Sequence, residues 1–432
     1  MTRGIPLPIP NSDHVGEPKV LNLMKVIISS GVGKLHFHET VRAVASAGID
    51  VDFITGWVPG PGSEGFVDRL GSVLGEKGLA RRMRARAVDA PGVTIRSLAW
   101  AEFAAQGLGL LSKSKLVKGT TTGGWAFEVL GWASRKYLQN GDIFHVRSGA
   151  GQGGAIKTAR RHGLKVIADH SIAHPGYMQT VLGEEYARAG IPYELSCNKG
   201  LWQVVLADCV EADRLLVNSD FVKRTFVQRG FSADRIDVGY LGVRDSYFHL
   251  KQSYASKGPV KILFTGNFDL RKGVRVLLQA IRQVRAGGID ARLRLIGNMA
   301  NGRACLKDSD AEFFTHTQFV PPEELLPALA KADMFVFPTL IEGCSRSAME
   351  ASAAGLPVIT TESCGLPLVD GKSVLYVPLN DCDALSKAIA QVASSESLRE
   401  SLGKSAAETI SERYTWPLYG KELLRVYRAL LG

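Results

Sequence analysis

Two glutamates, Glu342 and Glu350, stand eight positions apart in "IEGCSRSAMEASAAGLPVI", and two adjacent cations, Arg271 and Lys272, stand in "FTGNFDLRKGVRVLL". Read locally, "MFVFPT" is a strand, "LIEGCS" a short loop and "RSAMEASAAG" a helix stopped by Gly355. Glu342 therefore falls in the loop at the carboxyl end of a strand, the edge at which open α/β sheets bind ligands, and Glu350 follows on the helix. The unpaired amides of the helix start, around Cys344 to Ser347, attract phosphate. A carboxylate beside an anion site serves hydroxyls, because it accepts two of them and repels phosphate; a ribose or a sugar supplies such a pair. The plainer alternative makes Glu342 a helix-start charge favoured by the dipole and Glu350 a solvated face. Arg271 and Lys272, followed by Gly273, lie in a second strand-to-helix loop, where two cations suit a diphosphate through charge-assisted bonds of about 1.5–3 kcal/mol each. An exposed basic turn is the alternative, and two such loops at one sheet edge weaken it.

A third loop, "SSGVGKLHFHET", resembles a Walker phosphate loop only at a glance. That pattern requires a glycine five positions before the Gly-Lys pair and a Ser or Thr after it, and Ile28 and Leu35 occupy those places. Gly31 and Gly33 still permit close approach of a ligand to the backbone. His145, His170 and His174 fall at or just after strand ends expected to face a cleft, and His36 and His38 follow the glycine loop; each is also accounted for as a packed or solvated histidine. The triplets "DVD" at 50, "DSD" at 308 and "DCD" at 381 imitate an Asp-x-Asp metal clamp, but the first lies in a strand and Asp381 is placed to cap a helix; all three are expected to be structural, with no metal site. Trp125, Val129 and Trp132 recur at helical spacing, which predicts a core stripe; a bilayer or lipid contact is the alternative.

The elements that must position these residues alternate as a parallel sheet with crossover helices does. "VKILFTG", "ARLRLIG", "MFVFPT", "LPVIT" and "VLYVP" are the expected strands of the second half; "MKVIISS", "IDVDFITG", "DIFHVRSG", "LKVIADH", "RLLVNS" and "IDVGYL" are those of the first. Leu277, Leu278, Ile281 and Val284 share one helical face, and Gly287-Gly288 stops that helix. The stretch "LKQSYASKGP" is the candidate linker, so two doubly wound α/β domains with a cleft between them are expected from 432 residues. The opening "MTRGIPLPIPNSDHVGEPKV" lacks the apolar run of a secretory signal, no stretch approaches a membrane span, and six scattered cysteines suggest neither a disulfide framework nor zinc. A cytoplasmic protein is the expectation. Residues 1–200 carry 24 Lys and Arg against 16 Asp and Glu, the remainder 28 against 26, and Arg81, Arg82, Arg84 and Arg86 are the densest cluster. This fits a solvated helix face or an anionic membrane surface; no nucleic-acid module accompanies it.

The runs "GNFDLRKGVRVLLQAI", "FVFPTLIEGCSRSAMEASAAGLPVITT" and "YTWPLYGKELLRVYRALL" resemble the large retaining glycosyltransferase family 4, whose members have the GT-B fold. "LKVIADHSIAHPGYM", "LGEEYARAGIP" and "ADRLLVNSDFVKRTFVQRGFSADRIDVGYLGV" are similar to one bacterial branch of it, and the resemblance covers nearly everything after residue 23. It implies an extension over 1–23, an acceptor-binding Rossmann-like domain over 24–250 completed by a returning helix 416–432, and a nucleotide-sugar-binding Rossmann-like domain over 251–415. It also implies that Glu350 binds ribose hydroxyls, that Glu342 lies by the donor sugar, and that Arg271 and Lys272 hold the diphosphate. Gly33, Gly266, Gly297, Gly343, Cys344 and Ser345 would complete the donor contacts, with "THTQFV" bordering the base. The sequence departs from the family pattern at three places. Asn267 replaces an arginine common after Gly266; Gly343-Cys344-Ser345 replaces Gly-Phe-Gly, which alters the donor-sugar pocket; and Arg147 replaces the second histidine of a His-x-His strand end, leaving His170 and His174 with Arg147 as the acceptor-side candidates.

The resulting expectation is a retaining, metal-independent hexosyltransferase that needs no cofactor, takes a nucleoside diphosphate sugar and a glycan or lipid-linked acceptor, and works in the cytoplasm or peripherally on the inner membrane face. A phosphorylase or nucleotide-sugar epimerase of the same architecture, and a non-catalytic nucleotide-sugar binding protein, remain as alternatives.

Overall fold

The computed structural model describes residues 24–31, 33, 35–58, 90–113, 119–318 and 320–432. The expected extension over 1–23 and the arginines at 81–86 lie outside the described residues.

Among the described residues, seven parallel strands build the first sheet: β1 (Lys25–Ser29), β2 (Asp50–Thr55), β3 (Val93–Ser97), β4 (Ile143–Arg147), β5 (Lys165–His170), β6 (Arg214–Val217) and β7 (Ile236–Val238), in the order 3-2-1-4-5-6-7. Six more build the second: β8 (Val260–Thr265), β9 (Ala291–Ile296), β10 (Phe314–Thr317), β11 (Met334–Phe337), β12 (Val358–Thr360) and β13 (Leu375–Tyr376), in the order 10-9-8-11-12-13. The strand segments expected from the sequence all occur. β10 overlaps "THTQFV", which the family resemblance makes a strand, and β3 is an addition; "VTIRS" is an edge strand with a mostly solvent-open pattern, so it lacks the continuous apolar run that marks a strand covered on both faces. Strand order reverses between β1 and β4 in one sheet and between β8 and β11 in the other. These are the points at which the chain leaves the sheet in opposite directions and opens a crevice.

Burial explains the elements. Leu277, Leu278, Ile281 and Val284 of the helix Val274–Ala286 are buried against the second sheet, where Phe264, Phe335 and Phe337 are fully enclosed. The last helix, Trp416–Leu431, packs its Tyr419, Leu423, Val426 and Tyr427 into a core with Val41 and Val44 of the helix Phe37–Ser46. Gly420 lies so close to the Ala43 carbonyl that a Cβ there would collide with it. The linker candidate is irregular backbone, but it is anchored: Tyr254 is buried and its hydroxyl donates to the Gly355 carbonyl at 2.8 Å.

The two sheets meet through specific bonds. Arg275 grips the fully buried Glu185 carboxylate with two bonds of 2.8 Å, Asn301 Nδ2 donates to the Tyr186 hydroxyl at 2.9 Å, and Ser219 Oγ donates to the Gly343 carbonyl at 2.5 Å.

One expectation is overturned here. Trp125 and Trp132 are 45% and 53% exposed, and Val129 is only partly buried. The helix Gly119–Ser134 turns the other way because its inner face must be small: Gly131 abuts the Gln152 carbonyl and Gly124 the backbone of Gly200, so indole rings are excluded from that side.

Candidate active site

The crossover after β8 runs through Gly266 and Asn267 into a short turn, Leu270–Lys272, capped by Asp269, whose carboxylate accepts from the Lys272 amide at 3.1 Å. The turn is tied to the loop after β11, because the Leu340 amide donates to the Arg271 carbonyl at 2.9 Å. That bond draws the cationic loop and the Glu342 loop together. Arg271 Nη1 donates to Glu342 Oε1 at 2.9 Å and to the Ile341 carbonyl at 2.8 Å, and Lys272 Nζ pairs with the same Glu342 oxygen. Lys272 Nζ also lies 4.9 Å from the centroid of the Phe337 ring. Phe337 is fully buried, so the ammonium is backed by a low-dielectric wall that strengthens its field.

Beside this pair opens a cleft of about 470 Å³ lined by Gly266, Asn267, Lys272, Gly297, Asn298, Arg346, Ser347 and Glu350, with Val320 and Leu325 on one wall. Gly297 is needed for a steric reason: its φ is +149°, and a Cβ there would strike the Gly266 carbonyl, so the ends of β8 and β9 close on each other without side chains between them. Glu350 belongs to the helix Arg346–Ala353, whose start is capped by Ser345 Oγ accepting from the Ala348 amide at 3.4 Å. Burial pushes the Glu350 carboxyl above its usual range, and Arg346, 3.8 Å away, and Arg244 oppose that shift. Arg346 precedes Glu350 by one helical turn and so shares its face, and that spacing is the sequence signal that places it beside Glu350.

The remaining candidates separate. Gly343 does not line this cleft. Its carbonyl takes the Ser219 hydroxyl, and a Cβ on it would collide with the Ser171 carbonyl and come within 2.6 Å of Asn218 Oδ1. The glycine is thus required by contact between the two domains. Cys344 is buried, its thiol pushed well above the usual range by that burial, and Ser345 is buried as the helix cap.

In the first domain, Gly33, at φ +89°, lies where an added Cβ would be 3.7 Å from Arg147 Nη1, so these two candidates meet at the β1/β4 switch point. Arg147 stacks over Phe127 at 5.0 Å, and burial lowers its pKa to about 10. His145, by contrast, does not face a cleft: it is wholly buried, with Nδ1 2.6 Å from the Tyr427 hydroxyl and Nε2 3.2 Å from Asp169. His36 reaches the same Asp169 oxygen at 2.9 Å. The two imidazoles hold the Asp169 carboxyl far below the carboxylate range, although burial, the largest influence, works against them. His174 caps the helix Pro175–Arg188, its Nδ1 accepting from the Gly176 amide at 3.0 Å while its ring packs against Phe226 and Phe231. His170 pairs with Ser148 Oγ at 2.9 Å. Burial lowers both His170 and His174 to about 4.

The loop "SGAGQGG" after β4 is held by a residue that carries no local sequence signal. Asp208 accepts from the Gly149 amide at 2.6 Å, the Gly151 amide at 2.7 Å and Gln152 Nε2 at 2.8 Å, yet burial lifts its carboxyl to about 7. No spacing rule links a lone aspartate on one helix to a loop 57 residues earlier.

The Asp-x-Asp acids are committed elsewhere. Asp52 pairs with Lys25 and Arg96, Asp310 takes Arg282 at 2.5 and 2.8 Å, and Asp381 caps the helix Cys382–Ser394. Among the described residues no group of His, Cys, Asp or Glu is arranged to hold a metal ion, and all six cysteines are free. A second recess, about 480 Å³, is lined by Phe221 and Arg224 of the first domain and Glu362 and Tyr376 of the second. It is bridged by the Arg224–Glu362 pair and meets neither the glycines nor the cations of the β8/β11 switch point, so the smaller cleft is the better candidate.

Comparison with known proteins bears on the same half. Residues 259–395 match the family described as "Glycosyl transferases group 1". The chain is 29% identical over 194 residues to the amylovoran biosynthesis glycosyltransferase AmsK of Erwinia amylovora, covering 42% of this chain and 48% of that one. It is 25% identical over 237 residues to the O-antigen chain mannosyltransferase B of Escherichia coli, covering 51% and 61%. It thus spans about half the length of the curated relatives it matches. Among solved structures, sucrose-phosphate synthase from Thermosynechococcus elongatus superposes with a TM-score of 0.62 at 18% identity over 94% of this chain and 99% of that one. Anabaena Alr3699/HepE, in complex with UDP and glucose, superposes with a TM-score of 0.58 at 13% identity over 94% and 100%. The chain is a GT-B protein, and its second domain matches the group 1 glycosyl transferases.

Proposed function

We propose that the protein moves a hexosyl group from a nucleoside diphosphate to a hydroxyl of a glycan or lipid-linked acceptor, with retention of configuration, in the assembly of a bacterial polysaccharide. The observation that carries this reading is the convergence of Lys272, Gly266, Gly297 and Glu350 on one cleft, from three separate crossovers of the second sheet. In this reading Glu350 receives the ribose hydroxyls and the glycines admit the diphosphate. Lys272 and Arg271 meet the negative charge that grows on the departing diphosphate, which lowers the barrier because the charge is fixed in advance. Glu342, already bonded to both cations, orients them and the donor sugar. The leaving phosphate accepts the acceptor's proton, and neither a cofactor nor a metal is required.

The kinship with amylovoran and O-antigen enzymes supports the polysaccharide context, and the UDP and glucose of the Anabaena structure support a nucleotide-linked hexose. Arg147 is assigned to the acceptor side, with His170 linked to the same strand end through Ser148, and Gly33, which lies beside Arg147, is kept for close approach of the donor diphosphate.

A thermal-shift screen of nucleoside diphosphates and their sugars, followed by product analysis with the sugar that shifts the transition most, tests the reading. One nucleotide series should raise the melting temperature, since a ligand bound only by the folded state stabilises it, and its sugar should be transferred to an added acceptor with the anomer retained. No shift with any nucleotide, or sugar 1-phosphate as product, would overturn it.

A further inference from the structure

The helix Ala99–Lys113 is apolar on two sides, and the fold covers only one of them. Ala101 and Ala105 are buried, whereas Trp100, Phe103, Ala104 and Gly107, at the i, i+3, i+4 and i+7 spacing of a helix face, point to solvent. Trp100 is 51% and Phe103 60% exposed. The neighbouring helix Gly119–Ser134 adds Trp125 and Trp132, and the rings of Trp100 and Trp132 meet edge to face at 5.9 Å. Four large aromatic side chains therefore form one open surface on two packed helices. Isolated exposed apolar residues need no explanation, but a contiguous aromatic face marks a partner.

The rim identifies the partner's charge. Arg135 lies over the Trp132 ring at 5.5 Å, and Lys136 and Arg96 flank the Tyr137 ring at 4.8 and 5.6 Å. Of the two glutamates between residues 96 and 140, Glu102 is buried and accepts from the Trp57 amide at 2.5 Å, and Glu128 is exposed one turn from both Trp125 and Trp132, so the described rim sets Arg96, Arg135 and Lys136 against one open carboxylate. A second copy of the chain, docked by two-fold symmetry, would set this cationic rim against itself. An anionic lipid surface has the opposite charge, and indole rings, apolar with one polar edge, suit the boundary between headgroups and acyl chains. No helix among the described residues is long and apolar enough to cross a membrane, which leaves contact in the plane of the interface.

We propose that the face formed by Trp100, Phe103, Trp125 and Trp132, with Arg135 and Lys136 at its rim, docks on an anionic phospholipid bilayer. The face is built independently of the nucleotide cleft, so the proposal stands or falls apart from the transfer reaction.

The test is flotation of the full chain with vesicles of phosphatidylcholine alone and of phosphatidylcholine mixed with phosphatidylglycerol, for the wild type, the triple variant Trp100→Ser/Phe103→Ser/Trp132→Ser, and the double variant Arg135→Glu/Lys136→Glu. The wild type should float with the anionic vesicles and shift its tryptophan emission to the blue. The triple variant should bind about tenfold or more weakly, as expected when the apolar anchors of an interfacial helix are lost, and the double variant should lose the preference for anionic lipid. All the replaced residues are on the surface, so an unchanged melting curve and unchanged nucleotide binding would show that folding is intact. Wild-type protein that stays with the buffer would overturn the proposal, as would undiminished flotation of the triple variant, which would move the contact to other basic residues such as Arg81–Arg86. A dimer that dissociates in the triple variant would assign the face to a second copy and overturn it equally.

Discussion

At the ends of β8 and β11 the charged side chains face one another across a cleft, whereas at the matching point of the first sheet, after β1 and β4, most of the polar atoms are used by the fold itself. Glu342, Arg271 and Lys272 form a bonded set whose lysine borders open space next to Glu350. In the first domain Asp208 is spent on the Gly149 and Gly151 amides, His174 on a helix start, and Asp169 on His36 and His145. One topology thus carries two uses of polarity: in the second domain charge is displayed, and in the first it fixes a loop. In the proposed reading the difference is a division of labour, with preset charge for the nucleotide-linked donor on one side and a shaped surface for the acceptor on the other.

Replacing Lys272 by Ala is the strongest way to break the contrast. Steady-state transfer should fall about 10²–10³-fold, the range seen when one preset donor to a developing negative charge is removed, while the melting temperature changes little. Glu350→Gln should act on binding more than on chemistry. It should weaken nucleotide affinity by about 10–100-fold, the equivalent of one charged hydrogen bond, visible as a rise in KM with kcat nearly kept.

The opposite result is expected in the first domain. Asp208→Asn should cost about 1–3 kcal/mol of stability in a denaturant titration: one amide oxygen can still accept from the Gly149 and Gly151 amides, but the amide nitrogen in place of the other oxygen meets the Gln152 Nε2 donor with no acceptor. Its pH dependence has a definite sign. The folded-state pKa of Asp208 is about 7 against 3.8 for a free aspartate, so the folded protein binds more protons between those values and this contribution to stability is lost as pH rises towards 7. The deficit of the variant should therefore be largest near pH 4 and shrink towards pH 7. His170 and His174, lowered from 6.5 to about 4, work the other way: their contribution is present above 6.5 and is lost as pH falls through 4. The smallest effect belongs to His174→Ala, which should cost about 0.5–2 kcal/mol as a lost cap and leave turnover per folded molecule unchanged. A fall in kcat/KM at constant stability would return His174 to the acceptor site.

The same contrast explains what the sequence disclosed. The second-domain cleft was legible because its residues come in short, local patterns. Glu342 and Glu350 bracket a strand-loop-helix junction, and Arg271-Lys272-Gly273 mark another, so spacing alone places them at a sheet edge. The first domain resisted because its polar contacts are long-range: Asp208 reaches a loop 57 and 59 residues earlier, and Tyr427 meets His145 across 282 residues. Periodicity also misled at Trp125 and Trp132. Helical spacing shows which residues share a face but not which face is buried, and here the glycines at 124 and 131 made the opposite side the close-packed one. Gly343, expected among the donor contacts, is instead fixed against Ser171 and Asn218, and a glycine required by a neighbouring domain looks the same in sequence as one required by a ligand.

The central claim is that Lys272 and Glu350 act on one nucleoside diphosphate. Isothermal titration of the nucleotide selected by thermal shift into wild type, Lys272→Ala and Glu350→Gln measures this directly. The account predicts a single site in the wild type and an affinity reduced at least about tenfold in each variant, a loss of roughly 1.4 kcal/mol or more. Wild-type affinity in both variants would contradict it.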